Sequence, residues 1–279
     1  MTVETFNQAS NDCSKAITIK YSTSFSSAIN LLHADLRTPI FNIYGFVRLA
    51  DEIVDTFHLH DKPLLLQQCK QETFDAIERG LSLNPILHSF QQTVNQYKID
   101  LTLVHAFFRS MESDLTANAY DRQGYEEYIY GSAEVVGLMC LYVFCEGDKE
   151  LYRQLEKPAR ALGAAFQKVN FLRDIKADFQ DLSRMYFPGC NFHNFTEADK
   201  QQIEADIESD FQLAYKGILA LPIKARFGVY VAFKYYYSLF KKIKSTAPAH
   251  ILHKRIRIAN YHKAYIVFRA SVKNHLRLI

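Results

Sequence analysis

"SSAINLLHADLRTPIFNIYGFVRLADEIVD", residues 26–55, repeats its apolar side chains at intervals of three and four, the period of one helix face. Asp51 and Asp55 interrupt that face near its end. On a helix, residues four apart stand one above the other with Cβ atoms roughly 6 Å apart, so two carboxylates aim at one point. Like charges that close repel, and the pair gains only if a cation sits between them. Arg48, one turn before Asp51, could supply it as part of an exposed ion-pair ladder. A bound metal is the other reading, with Glu52, one step round, assisting or facing water.

The helical period continues along the chain. "LHSFQQTVNQYKI" (87–99), "ALGAAFQKVNFLRDIKADFQDL" (161–182) and "IEADIESDFQLAYKGILAL" (203–221) all carry it, with little strand-type alternation. Breaks are expected near Pro39, read as a first-turn proline, and at Pro63, Asn84-Pro85, Gly147-Asp148, Pro188-Gly189, Pro222 and Pro248. Thr196 with Asp199 reads as an acidic variant of a capping box. The pattern predicts an all-α chain of about nine to eleven helices. The connections are too short for interdomain linkers and there is no internal repeat, so residues 1–279 are expected to form a single domain.

Composition sets further bounds. Hydrophobic residues make up 48% and charged residues 23% of the 279, which suits a globular protein. The five cysteines are odd in number and form no Cys-x-x-Cys pair, so reduced thiols and a cytoplasmic setting are expected. The opening "MTVETFNQASNDCSK" has no secretory pattern, and no window approaches the roughly 18 apolar residues of a membrane span. The net charge of +3 is unevenly placed. After Asp210 there is no acid and there are 14 Lys and Arg, whereas residues 1–210 hold 19 basic and 30 acidic side chains, a balance of −11. Such a basic third suits phosphates, an acidic membrane, nucleic acid or the acidic body of the same chain. No nucleic-acid module accompanies the charge, so no nucleic-acid partner is expected.

A second stretch changes the reading of the first. "FQKVNFLRDIKADFQD" (166–181) repeats the spacing with Asp174 and Asp178, places Arg173 beside Asp174, and sets Asn170 one turn earlier. Two carboxylate helices facing each other suit Mg²⁺, which takes one or two protein carboxylates, keeps waters, and completes its shell with substrate phosphate. The arginines would grip the same phosphates. A di-iron bundle would need Glu-x-x-His units, and none occurs; the lone Asp55-x-x-His58 is read as incidental. Between the pairs, "YIYGSAEVVGLMCLYVF" (128–144) combines Gly131, Ser132, Ala133 and Gly137 with an apolar run. It fits either the wall of an oily channel or close helix packing.

Taken together, these segments resemble the squalene and phytoene synthase family. The likeness runs from "YSTSFSSAINLL" through "IYGFVRLADEIVD", "YIYGSAEVVG" and "QKVNFLRDIKADFQDLSRMYFP" to "RIRIANYHK". It implies an isoprenoid synthase helical bundle around a central apolar cavity. By position, it implies that Asp51, Asp55, Asp174 and Asp178 are the catalytic acids and, with Asn170, the metal ligands. Ser22, Ser24, Tyr44, Arg48, Gln167 and Arg173 take substrate-contact positions. Arg184, Tyr186, Tyr236, Arg255, Arg257 and Lys263 take diphosphate-facing or cavity-closing ones. The chain departs from the family's pattern at Glu134, where a small residue is frequent, at Ala177, where an acid is frequent, and at Ser183, where glycine is.

The activity implied is head-to-head condensation of two geranylgeranyl diphosphates to phytoene in carotenoid biosynthesis. It would depend on Mg²⁺, with Mn²⁺ as a substitute, and NADPH is not expected. Squalene or dehydrosqualene synthesis from farnesyl diphosphate is the alternative within the family, and a non-catalytic scaffold relative is the alternative outside catalysis. "VYVAFKYYYSLFKKIK" (229–244) and "KAYIVFRASVKNHLRLI" (263–279) have the composition of interfacial helices, so peripheral attachment to the inner face of an anionic membrane is expected.

Overall fold

Short polar side chains punctuate the chain. Asp61, Asn84, Asp100 and Asp121 each precede a helix and accept a backbone N–H of its first turn at 2.7–3.4 Å. Thr196 and Asp199 form the expected reciprocal capping box. Each such cap stabilises its helix by about 1 kcal/mol. In the computed structural model, residues 2–116, 119–176, 185–190, 195–252, 255–276 and 279 are described. The elements are α1 (Val3–Tyr21), α2 (Thr23–Ile29), α3 (Ala34–Asp55), α4 (Lys62–Arg79), α5 (Pro85–Tyr97), α6 (Leu101–Asp114), α7 (Arg122–Ile129), a π-helical turn (Tyr130–Glu134), α8 (Val135–Cys145), α9 (Lys149–Lys176), α10 (Glu197–Ala220), α11 (Ile223–Lys244), α12 (Pro248–Ile251) and α13 (Asn260–His275). Among the described residues there is no strand, only a single bridge between Ala119 and Met185.

Three expectations need correction. Among the described residues the thirteen α segments exceed nine to eleven, because extended backbone at Ser22 divides α1 from α2 and α12 is a single turn. Pro39 is not in the first turn: α3 starts at Ala34 and carries the proline inside it. The stretch Arg122–Cys145 is continuous, and long and apolar enough to cross a bilayer. Here it is a core element, with Val135, Leu138, Met139, Leu141 and Val143 almost wholly buried by neighbouring helices.

The helices pack through two kinds of seam. α1 buries only Ser10, Ser14 and Thr18 against α3 and α5, and the Ser14 and Ser89 hydroxyls meet at 2.7 Å. Gly45 permits this approach, since a Cβ there would lie 2.7 Å from Ser14 Oγ. Behind this seam Phe46 stacks on Phe90 at 3.8 Å. The second seam joins α9, α10 and α11. Lys168 of α9 meets Asp206 and Asp210 of α10 at 2.6 and 2.7 Å. Lys200, almost wholly buried, forms an ion pair with Glu204 at 2.7 Å and donates a hydrogen bond to the Lys244 carbonyl at the end of α11. Between the seams lies a cavity of about 320 Å³ lined by α2, α3, α8, α9, α10 and α11.

Candidate active site

The cavity is polar at one end and oily at the other because its lining helices change character along their length. On α3 the lining runs from Ile40 and Ile43 to Tyr44, Val47 and Asp51. On α9 it runs from Leu155, Pro158 and Ala159 through Gly163 to Gln167 and Asn170. At 1.5 Å per residue, Leu155 to Asn170 spans about 22 Å. The π-helical turn settles the two readings of the 128–144 stretch by dividing it. Gly131 serves packing, as a Cβ there would lie 2.4 Å from the Ala106 carbonyl. Ser132, Ala133, Val136 and Gly137 line the cavity. Glu134 points to Arg160, an ion pair at 2.6 Å, and does not line the cavity.

Two ionic clusters flank the polar end. On α3, Arg48 bonds Glu52 at 2.5 Å, lies 3.8 Å from Asp51, and stacks over Tyr21. The expected ladder therefore exists, but half-buried. Burial pushes the Asp51 carboxyl up to about 7 against the pull of Arg48, with Asp55 adding repulsion. A third of the Asp51 side chain is open, and the residue lines the cavity. On α9, Arg173 wraps back onto Asp174, its Nε 3.0 and 3.1 Å from the two oxygens. Arg255 closes on the same carboxylate at 2.7 Å.

Tyr236 of α11 connects the clusters. Burial raises its phenol, with Arg173 and Asn170 beside it pulling the other way. Burial, with Tyr236 next, also pushes Tyr44 up to about 12, so both phenols stay protonated donors. Tyr44, Asp51, Gln167, Asn170 and Tyr236 thus share one cavity wall, with Arg48, Arg173, Asp174 and Arg255 at its edge.

Other expected site residues lie elsewhere. Ser22 caps α2 through Phe25 N–H and neighbours Tyr44, and Ser24 sits half-buried on α2. Tyr186 is buried in an aromatic cluster, stacked on Phe171 at 4.0 Å. Lys263 donates to Thr23 Oγ1 at 3.1 Å, and the Arg257 side chain is exposed. Asp178 and Arg184, with Ala177 and Ser183, lie outside the described residues.

Of the aromatic group where polar wall becomes oily, Tyr236 is an expected site residue, and Phe25 and Phe166 are additions from the structure. Phe25, Phe166 and Tyr236 meet there, Phe166 on Tyr236 at 3.9 Å and Phe25 at 5.6 and 5.9 Å from them. Phe166 immediately precedes Gln167, and Phe25 closes "STSF", so both adjoin expected substrate-contact residues in the chain. The α10 and α11 lining, including Ala214, Gly217, Gly228 and Val229, carried no motif of its own.

Among the described residues no three His, Cys, Asp or Glu side chains gather into a ready cage for a divalent metal. Asn170 Oδ1, however, is buried without a partner beside the cavity, and Asp51 carries a desolvated carboxyl that a cation would relieve. All-oxygen donors contributed from two helices fit a hydrated Mg²⁺ that shares its shell with substrate phosphate.

A helical bundle enclosing a long apolar cavity with acids, an amide and arginines at one end has the isoprenoid synthase fold. The chain belongs to the squalene/phytoene synthase family, which residues 18–262 match. The family's members are head-to-head prenyltransferases of isoprenoid biosynthesis that use a divalent metal with prenyl diphosphates. The chain is 27% identical over 258 residues to a phytoene synthase of Arthrospira platensis, covering 82% of each. It is 25% identical over 195 residues to a 4,4'-diapophytoene synthase of Staphylococcus haemolyticus, covering 68% of this chain and 66% of that one. A solved dehydrosqualene synthase shares the fold at a TM-score of 0.85 over 98% of both chains, with 20% identity.

Proposed function

We propose that this protein condenses two geranylgeranyl diphosphates head to head into phytoene, releasing two diphosphates and a proton. The observation that carries this reading is the cavity, whose lining on α9 runs about 22 Å at 1.5 Å per residue, oily from Leu155 to Phe166 and polar at Gln167 and Asn170, with Asp51 at the same polar end. A C20 prenyl chain, sixteen carbons along its backbone, extends about 20 Å at carbon–carbon bond lengths near 1.5 Å, and a C15 chain about 15 Å.

Asp51, Asp55, Asn170 and Asp174 would hold Mg²⁺, which when bound neutralises the diphosphate and makes it a better leaving group. Arg173 and Arg255 now spend their guanidinium groups on Asp174 and can transfer them to diphosphate oxygens in bidentate fashion. Arg48, braced by Glu52, is held at the other side of the same end. Tyr44 and Tyr236, kept protonated, donate rather than repel. Once the first C–O bond breaks, the faces of Phe25, Phe166 and Tyr236 offer the allylic cation a π surface. The oily wall keeps water from capturing it. The double bond of the second substrate then attacks to give a cyclopropylcarbinyl diphosphate. Loss of its diphosphate, rearrangement and proton loss complete the product without a reductant.

The likeness to a diapophytoene synthase favours a second reading, condensation of two C15 farnesyl diphosphates to a C30 hydrocarbon. Incubating purified protein with Mg²⁺ and each diphosphate separately, without NADPH, and extracting hydrocarbons discriminates the two. A C40 product from the C20 substrate is expected, and its absence rejects the first reading. Product formation in excess EDTA would reject the metal assignment.

A further inference from the structure

Helix α13 presents its apolar side outward. Tyr261, Tyr265, Phe268, Val272 and Leu276, spaced at three and four residues, lie on one face and are 44% to 81% exposed. The opposite face buries only Ile266 and Ala270 and packs on α11. A helix of a water-facing protein normally does the reverse.

The charge beside this stripe has one sign. Arg269 and Lys273 of α13 share a field with Lys234 and Lys241 of α11, and after burial their repulsion is what lowers the Lys234 ammonium. No acid follows Asp210 in the chain, so none lies on α11 or α13.

We propose that the outward face of α13, with the basic cluster on its flank and on α11, is a docking surface for an anionic lipid bilayer. Interfacial helices have this arrangement, with aromatic and aliphatic side chains on one face and Lys and Arg beside them. A second copy of the chain fits poorly, because apposing two α13 faces would bring Arg269, Lys273, Lys234 and Lys241 of each copy together, with only Glu208, bonded to Tyr237, as an acid beside them. Placement supports a bilayer too. Lys263 at the start of α13 bonds Thr23 of α2, the helix whose Phe25, Ala28 and Ile29 line the cavity. Docked this way, the cavity wall lies close to the lipid surface.

The test is flotation of the full chain with phosphatidylcholine vesicles and with phosphatidylcholine–phosphatidylglycerol vesicles, at low and high salt. Binding to the anionic vesicles alone, released by salt, is expected. Phe268→Asp should weaken it by about tenfold or more, and Lys241→Gln and Lys273→Gln by about fivefold each. Lys241→Gln lies on α11, so it reads the surface even if Phe268→Asp perturbs α13. Circular dichroism and turnover of detergent-dispersed substrate should not change in any of the three. No binding, equal binding to both vesicle types, or binding indifferent to these substitutions overturns the proposal. A solution dimer that Phe268→Asp dissolves would assign the face to a second copy and overturn it as well.

Discussion

Replacing Asp51 with Asn should make the metal-free protein more stable and the enzyme inactive. Burial, then repulsion from Asp55 against the pull of Arg48, lifts the Asp51 carboxyl from 3.8 to about 7. The folded state therefore holds a proton that the unfolded state has released between those two values. Over that window the group's contribution to stability falls as pH rises, and above about 7 the full penalty remains. A shift of that size corresponds to about 4 kcal/mol. A third of the side chain is open, and screening there reduces the figure to about 1–2 kcal/mol.

Asp51→Asn removes the charge at nearly constant shape. In EDTA at pH 8 it should melt about 2–6 °C above wild type, and at pH 4 the difference should vanish. Adding Mg²⁺ with a non-reactive diphosphate analogue should reverse the order, because binding stabilises wild type by mass action while the variant lacks a ligand. Scanning fluorimetry across this pH series is the assay, with hydrocarbon formation measured in parallel. A variant that melts below wild type at pH 8 in EDTA would refute the reasoning and leave Asp51 as no more than the partner of Arg48.

Filling the cavity should shorten the product: Val229→Phe, on the oily part of the wall, should cut C40 formation from the C20 substrate while sparing turnover of C15, read by product chromatography. Lys200→Ala should cost about 3–5 kcal/mol in urea unfolding, because Glu204 would be left buried without its cation. Gly131→Ala should cost about 1–3 kcal/mol. The new Cβ would meet the Ala106 carbonyl, which is backbone and cannot rotate away, so the melt should fall. Asn170→Ala removes an orphaned Oδ1 but also a side-chain hydrogen bond with Tyr236, so the metal-free melt should fall only slightly, by about 1 kcal/mol or less, while Mg²⁺-dependent activity should weaken by at least about tenfold.

The chain's local chemistry carried the helical class and the pairing of Asp51 with Asp55, because a four-residue spacing has one meaning on a helix wherever the helix is placed. The capping residues were legible for the same reason, being contacts between near neighbours. Position along the chain did not reveal that Pro39 sits inside α3, since the helix start depends on how the preceding turn packs. Nor did it separate Gly131, which only admits a neighbouring helix, from Gly137 six residues on, which both admits α9 and lines the cavity. Those outcomes follow from which helices come to face each other across 100 residues of sequence. The same holds for the grip of Arg255 on Asp174, the Phe25–Phe166–Tyr236 group, and the outward turn of the α13 stripe. The acids were written in the sequence; the desolvation that raises the Asp51 carboxyl exists only once α3, α8 and α9 close around the cavity.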